Sequence, residues 1–288
     1  MPTIRLRIAY DGTNYSGWQV QPNETTVQGV IETAIHKLTG EAMSVLCAGR
    51  TDAGVHALGQ VASFRSDFNI PPHRWRPALQ SHLPEDVVIL ESDQVADEFH
   101  ATFSAVSKRY RYVIHNSVVE HPFWRTFVWR IAQPLDEIAM HEAAQVLVGT
   151  HDFRSFESHW PNKATSVRTV HAISLRRHSD WNLWSPTNSN EPEENEKLAS
   201  EQTGNETAGD FISLEIEADG FLYNMVRTIT GTLVNIGRGT WTKENLVDIL
   251  NAQDRKIAGA TAPACGLYLA QVHYPQELTT PTETDPGE

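Results

Sequence analysis

The first third of the chain alternates hydrophobic and polar residues in ways that predict both strands and helices. "IRLRIAY" (4–10) has the period of a strand, and "TTVQGVIETAIHKLTG" spaces its apolar residues like a helix, after a threonine N-cap and before Gly40. Strands separated by helices and short connections indicate the α+β class. The pattern predicts further strands over 43–48, 60–65 and 87–92, and a helical stretch over 72–82.

A second round of strands and helices begins near residue 105 and has a similar order. The sequence contains no short-period repeat, so the two halves of the chain resemble each other only in the order of their predicted elements. We therefore predict two similar α+β subdomains, 1–104 and 105–275, that share a mixed, mainly antiparallel sheet. The predicted strands are 108–115, 167–177, 211–218 and 266–274, and the predicted helices lie in "LDEIAMHEAAQVLVG" (135–149), over 221–236 and over 243–252, the last with Thr242 as N-cap.

The net charge of −13 argues at first against a nucleic-acid partner, because phosphates require lysine and arginine. Much of that charge is local: residues 188–210 carry seven acids and one lysine, and residues 275–288 carry four acids and no base. Both segments have few large apolar residues, so we expect a mobile insert and, over 276–288, a disordered tail. Without them the net charge is −3, which is compatible with a local basic groove.

Composition excludes several classes of protein. The sequence has no apolar run near the roughly 20 residues of a membrane helix, and its N-terminus lacks the apolar block of a signal peptide. Two cysteines, Cys47 and Cys265, do not make a disulfide framework, and the thirteen histidines have no metal-site spacing. We predict a reduced, cytoplasmic, metal-free protein.

The stretch "CAGRTDAGVHALGQ" (47–60) connects two predicted strands and contains Arg50, Asp52 and His56. An aspartate followed by small residues is ordinary turn chemistry, so Asp52 has a purely structural interpretation. The connection is nevertheless longer than a hairpin needs, and additional loop on a rigid scaffold is often functional. This stretch alone leaves both interpretations open.

The predicted strand in "SAVSKRYRYVIH" alternates basic and aromatic residues. Lys108, Tyr110 and Tyr112 share one face, and Arg109 and Arg111 share the other. Cations beside aromatic rings suit RNA, which offers phosphates and unstacked bases. The alternative is a solvated edge strand whose tyrosines pack on the core.

Arg227 lies in "DGFLYNMVRTITGTLVNIG", a predicted helix that is apolar on nearly all sides. Such a helix is usually buried, and a buried guanidinium requires a carboxylate partner. The alternatives are an arginine that extends to the surface and one that forms a purely structural pair. The residues of this segment do not identify the partner.

Taken together, these segments resemble the TruA family of tRNA pseudouridine synthases over about residues 3–275. No single motif is specific, but their number, order and spacing are. The motifs are "YDGTNYSGWQVQP" (10–22), "GRTDAGVHALGQV" (49–61), "KRYRY" (108–112), "GTHDFRSF" (149–156), "FLYNMVRTITGTL" (221–233) and "GLYL" (266–269).

The resemblance implies that Asp52 is the catalytic nucleophile, that Tyr110 is the active-site tyrosine, and that Arg227 pairs with Asp52. It also implies a homodimer that acts on uridines 38, 39 and 40 of the tRNA anticodon stem-loop, without metal or organic cofactor. Attack at uracil C6, attack at sugar C1′ and a glycal route all remain open.

Contacts to the RNA backbone are expected from Arg50, Lys108, Arg109 and Arg168. His56 has two possible roles, an RNA contact or stabilisation of the loop. The acidic insert and tail are longer than the family leads us to expect, and negative charge near the groove would repel RNA. Our hypothesis is that the insert points away from it.

Two other functions are compatible with parts of the sequence. A glycosidase-like hydrolase needs two carboxyl groups about 5–9 Å apart, whereas this loop offers one acid beside an arginine. A non-catalytic RNA-binding protein on the same scaffold is the stronger alternative, since fold alone does not determine function. The joint presence of Asp52, Tyr110 and Arg227 argues against it.

Overall fold

The computed structural model describes residues 1–158, 165–179 and 209–280 of the 288-residue chain. Nearly all of the predicted acidic insert and the last part of the predicted tail lie outside these ranges, so the expectations for both remain predictions. Within the described ranges, the longest apolar helices are too short to cross a bilayer.

Ten strands of the described chain form one large mixed sheet, which confirms the predicted α+β class. Their order is β4-β1-β3-β10-β5-β9-β8-β7, with β2 beside β3 and β6 beside β5. Most neighbours are antiparallel, while β10 runs parallel to β3 and β6 runs parallel to β5. The strands are β1 (Thr3–Tyr10), β2 (Leu46–Cys47), β3 (His56–Arg65), β4 (Val87–Val95), β5 (Ser107–His115), β6 (Trp129–Arg130), β7 (Gly149–Asp152), β8 (Val167–His178), β9 (Phe211–Ala218) and β10 (Leu267–His273).

All of the helices except the short last one pack on one face of this sheet, where they bury the main apolar core. Leu278 of the last helix packs instead on a smaller cluster that contains Val61 and Phe99. Two helix ends confirm the sequence prediction: Thr26 caps α1 by accepting the amide of Gly29 at 3.3 Å, and Gly40 ends it at φ +79°. Thr242 likewise starts α5 with a capping box. The helices are α1 (Val27–Thr39), α2 (Trp75–Gln80), α3 (Glu137–Ala144), α4 (Met225–Gly237), α5 (Lys243–Ala252) and α6 (Gln276–Thr279).

Several element bounds differ from the sequence prediction because long-range pairing decides them. The strand predicted at 60–65 begins at His56, since residues 56–57 pair with Tyr268 and Leu269 of β10. The strand predicted at 43–48 is reduced to the two residues of β2, and the helix predicted from 221 begins at Met225. The tail predicted from 276 begins with α6, which is held by a hydrogen bond from the amide of Ala96 to the carbonyl of Leu278.

A bulge in β3 distributes its side chains between the two faces of the sheet. The register against β1 shifts between the pairs Tyr10–Ala57 and Ile8–Gln60. Before the shift, His56 stacks on Tyr268 on the face opposite the main apolar core. After it, Gln60 turns to the helix-covered face, where it contacts Tyr10. Alternation without a bulge would have put His56 and Gln60 on one face.

Candidate active site

The Asp52 loop, residues 48–55 between β2 and β3, is braced by the segment that follows β1. Gly17, at φ +95°, approaches so closely that a Cβ there would lie 2.6 Å from the carbonyl oxygen of Thr51. The amide of Trp18 donates to that same carbonyl at 3.0 Å. A close approach at positive φ requires glycine, which explains why this glycine stands beside the loop.

Buried side chains fix the Asp52 loop from below. The fully buried Gln60 donates through Nε2 to the carbonyl of Gly49 at 2.7 Å and accepts the amide of Gly49 through Oε1 at 3.4 Å. The hydroxyl of Tyr10 lies 2.7 Å from Oγ1 of Thr51. A satisfied buried network of this kind rigidifies the backbone that presents Asp52.

The structure brings Arg227 to Asp52 from a distant part of the sequence. Nη1 of Arg227 lies 3.4 Å from Oδ2 of Asp52. The side chain of Asp52 remains 30% exposed, while that of Arg227 is 17% exposed. The pair therefore lies at the surface end of the main apolar core, where the carboxylate is accessible to solvent.

Arg227 is anchored by more than its carboxylate partner. Nε donates to the carbonyl of Ala262 at 2.7 Å, and the amide of Ala262 donates back to the carbonyl of Arg227 at 3.1 Å. Nη1 also donates to Oδ1 of Asn224 at 2.8 Å. Gly231 permits this segment to lie along α4, because a Cβ there would lie 1.8 Å from the carbonyl oxygen of Ala260.

Two opposing effects set the acidity of Asp52. Burial raises its pKa above the ordinary value, and the charge and hydrogen bond of Arg227 lower it, with burial the larger effect. An arginine beside the carboxylate favours its ionised form, but here the loss of solvent around Asp52 outweighs that effect.

Tyr110 of β5 lies under the Asp52 loop with its ring against Phe221, edge to face at 4.9 Å between centroids. It is 7% exposed, and a Cβ on Gly49 would lie 3.6 Å from its hydroxyl oxygen. Burial raises its pKa strongly, and the charge of Asp52 contributes in the same direction. The phenol is therefore protonated in the free protein.

Two of the predicted basic residues belong to the Asp52 loop or lie beside it, and a third lies near Gly220. Nζ of Lys108 is 3.7 Å from the position of a Cβ on Gly49, and Arg50 is exposed on the Asp52 loop itself. Nε of Arg168 is 3.5 Å from the Cβ position of Gly220, the residue before Phe221. Lys108 and Arg50 thus lie at the Asp52 loop, while Arg168 lies near the residue that precedes Phe221, whose ring packs on Tyr110.

The fourth predicted contact, Arg109, faces the opposite side of the sheet. It is paired with Glu217 of β9, with Nη2 to Oε2 at 2.7 Å, and Arg111 is paired with Glu215 in the same way at 2.6 Å. Both pairs are direct cross-strand neighbours, a pairing that stabilises antiparallel strands. The structure therefore does not bring Arg109 together with Asp52.

His56 has both ring nitrogens occupied and is 1% exposed. Its Nδ1 accepts the amide of Gly12 at 3.0 Å, and its Nε2 lies 3.0 Å from the carbonyl oxygen of Thr126. Burial lowers its pKa, against an opposing effect of Asp11. Of the two roles left open by the sequence, these contacts favour stabilisation of the loop.

The arrangement suits nucleophilic chemistry on a ligand that arrives from solvent. It combines a partly exposed carboxylate, an anchored guanidinium and a buried aromatic ring in one corner of the fold. Among the described residues, no three histidine, cysteine or acidic side chains are grouped as a metal site would require. Sequence reasoning missed Asn224 and Ala262; an asparagine before an apolar helix and a glycine within it were the available signals.

A family model described as tRNA pseudouridine synthase matches residues 7–104 and 143–275. Similar curated proteins cover nearly the whole chain. A "tRNA pseudouridine synthase A" of Moorella thermoacetica is 44% identical over 276 residues, which is 95% of this chain and 100% of that protein. One of the same name from Thermoanaerobacter sp. (strain X514) is 42% identical over 274 residues, again 95% and 100%.

Proposed function

Because this chain belongs to the tRNA pseudouridine synthase family, we propose that it converts uridine to pseudouridine in tRNA, at positions 38, 39 and 40 of the anticodon stem-loop. The reaction is an isomerisation. The C1′–N1 bond breaks, the uracil turns, and a C1′–C5 bond forms, while C5 loses a proton and N1 gains one. The protein works in the cytoplasm as a homodimer, without a cofactor.

The observation that carries the proposal is the contact of Arg227 with Asp52, 3.4 Å apart beside Tyr110. Asp52 acts as nucleophile, at uracil C6 or at sugar C1′, or it assists a glycal route; covalent assistance divides one difficult step into two easier ones. The target base must leave its helix to reach the carboxylate, as it does in other enzymes that act on bases.

Tyr110 supports the reaction in one of two ways. Its ring supplies a stacking surface for the extruded uracil, or its hydroxyl assists removal of the C5 proton. The strongly raised pKa of this phenol means that a proton-transfer role cannot rely on a phenolate formed before the substrate binds.

The RNA backbone is held by positive side chains on the Asp52 loop, beside it and near Gly220. Arg50, Lys108 and Arg168 contact phosphates or sugars, which position the RNA without reading its sequence. Arg109 contributes from its own face of the sheet if the RNA extends there. His56 acts through the loop that it stabilises.

The test is tritium release from tRNA labelled at uracil C5, in a single turnover. Substrates carry uridine at only one of positions 38, 39 and 40, and three proteins are compared: wild type, Asp52→Ala, and the control Asp248→Asn on the exposed side of α5. We expect wild type and control to release tritium, and Asp52→Ala to be slower by more than about a hundredfold.

Each outcome is decisive when tRNA binding is measured beside it. Release by Asp52→Ala at the wild-type rate would disprove its role as nucleophile. Release by none of the proteins, with tRNA still bound, would favour the non-catalytic RNA-binding alternative. Release only from uridines outside the three positions would retain the activity and overturn the assigned substrate site.

A further inference from the structure

The contact between Arg227 and Asp52 is longer than an unrestrained pair of this kind adopts. Charge-assisted N–H···O bonds are normally about 2.7–2.9 Å long, whereas Nη1 of Arg227 is 3.4 Å from Oδ2 of Asp52. The same Nη1 lies only 2.8 Å from Oδ1 of the neutral Asn224. The guanidinium is therefore closer to an amide than to the carboxylate beside it.

Hydrogen-bonding chemistry fixes the orientation of the Asn224 amide. A guanidinium can only donate, so the Asn224 atom facing Arg227 must be Oδ1. Nδ2 then points the other way, where it donates to Oγ of Ser158 at 2.9 Å. The amide of Ser158 donates in turn to the carbonyl of Tyr223 at 3.0 Å, which ties this segment to the start of α4.

The backbone of Asn224 is specialised for this position. It has φ +62°, immediately before α4, in the left-handed region that asparagine tolerates better than most residues. This conformation places its side chain over the first turn of α4, where Arg227 lies three residues on. The opposite side of the guanidinium is fixed by the carbonyl of Ala262, 2.7 Å from Nε.

We propose that Asn224 is a positioning residue that, together with Ala262, holds the Arg227 guanidinium back from full contact with Asp52. Arg227 then supplies a fixed positive field without tying up the carboxylate as a tight ion pair. This inference rests on the proposed function, because a carboxylate that must react gains from a preorganised neighbour that does not bond it closely.

The charged surroundings of Asp52 make this effect measurable. Among the described residues, Arg227 is the cation whose charge and hydrogen bond act on Asp52, and the nearby Tyr110 is an uncharged phenol. Any movement of the guanidinium therefore changes the titration of Asp52 directly. Closer approach lowers the pKa of the carboxyl, and withdrawal raises it.

The test variant is Asn224→Gly, which keeps the positive φ and removes the amide. Its matched control is Asn23→Gly, at φ +63° on the exposed surface. Asn224→Gly and Ser158→Ala are also made in an Arg227→Gln background. The measurements are the titration of Asp52 in the free protein by ¹³C-carboxyl NMR, assigned with Asp52→Asn, the single-turnover rate of tritium release, and tRNA affinity.

We expect Asn224→Gly to lower the measured pKa of Asp52 by about 0.5 or more and to slow tritium release about tenfold, with tRNA affinity unchanged. Ser158→Ala should give smaller changes of the same sign, and Asn23→Gly none. With Gln at 227, removing Asn224 should no longer move the titration. An unchanged or raised pKa in Asn224→Gly, or an equal shift without Arg227, would overturn the proposal.

The two proposals fail in different ways. If wild type releases no tritium from any tRNA, the proposed function is wrong, and the titration still tests the position of Arg227. If wild type is active but Asn224→Gly leaves the pKa of Asp52 unchanged, only the positioning role of Asn224 is wrong.

Discussion

The pKa of Asp52 reflects a balance between burial of its carboxyl group and the charge of Arg227. Burial raises its pKa above that of an ordinary aspartate, and Arg227 opposes the rise. A nucleophile must be ionised, so the rate of the chemical step should increase with pH as Asp52 loses its proton. The position of that acidic limb reports how strongly Arg227 acts.

Replacing Arg227 by glutamine should move this acidic limb to higher pH. The substitution removes the effect that lowers the pKa of Asp52 and leaves the burial that raises it, so a higher pH is needed to form the carboxylate. Single-turnover tritium release measured across the acidic range checks this. Arg7→Gln serves as the control, because Arg7 of β1 pairs with Glu91 of β4. A limb at the wild-type position or at lower pH would contradict the assignment.

The sequence predicted which face of β5 each basic residue occupies, but not which residues of other strands lie beside it. Alternation along β5 correctly separated Lys108 and Tyr110 from Arg109. It did not predict that Glu217 would lie opposite Arg109, because that neighbour comes from a strand more than one hundred positions later. Arg109, which the sequence analysis predicts as an RNA-backbone contact, is paired with a carboxylate in the folded chain.

At the scale of elements, the Asp52 loop depends on its bracing segment. Gly17 touches the loop backbone at Thr51, whereas Gly40, also at positive φ, has no atom within 4 Å of its Cβ position. The two glycines thus share the same conformational requirement and differ in their contact with the loop. Alanine substitutions at the two positions therefore distinguish the effect of backbone strain from the effect of displacing the Asp52 loop.

Gly17→Ala and Gly40→Ala should both lower the melting temperature, since alanine in the left-handed region costs about 1–2 kcal/mol. Gly17→Ala should in addition slow tritium release by about tenfold or more, because its methyl group would press on the carbonyl of Thr51 and displace Asp52. Thermal unfolding and single-turnover rates measure the two effects. Equal activity in the two variants would show that the loop does not depend on this contact.

The beginning of α4 shows where pattern reading reaches its limit. Apolar spacing continues back to Phe221, so the sequence predicts a helix from there, but Asn224 takes a left-handed conformation and α4 begins at Met225. The contacts that favour this start, to Ser158 and Arg227, involve a distant segment and a buried charge. The apolar spacing within 221–236 carries no information about either contact.

At the scale of the whole molecule, the shared sheet places the site between the two halves of the chain. β10, the last strand, lies between β3 and β5 and runs parallel to one and antiparallel to the other. It thereby brings the Asp52 loop beside Tyr110. The domain bounds predicted at 1–104 and 105–275 remain predictions within this continuous sheet.

The hypothesis that the acidic insert points away from RNA predicts that deleting 188–208 leaves tRNA affinity within about twofold at physiological salt, where charge effects extend about 8 Å. The deletion removes five net negative charges. It joins strands whose ends are already adjacent, since His178 pairs with Phe211. Binding curves at several salt concentrations test this, and a change of about tenfold in either direction would contradict it.

The sequence by itself determined the α+β class and the helix caps at Thr26, Gly40 and Thr242, and its motifs predict Asp52, Tyr110 and Arg227 as site residues. These follow from local chemistry: side-chain period, capping hydrogen bonds, and motifs whose order is written along the chain. The motifs also determined the family, which the matches over most of the chain confirm.

The tertiary structure alone decided how these residues meet. It set the 3.4 Å contact of Arg227 with Asp52, the closer contact with Asn224, and the bulge that separates His56 from Gln60. Each depends on chain segments far apart in sequence. Distances between such segments are fixed by packing and strand register, which no local pattern encodes.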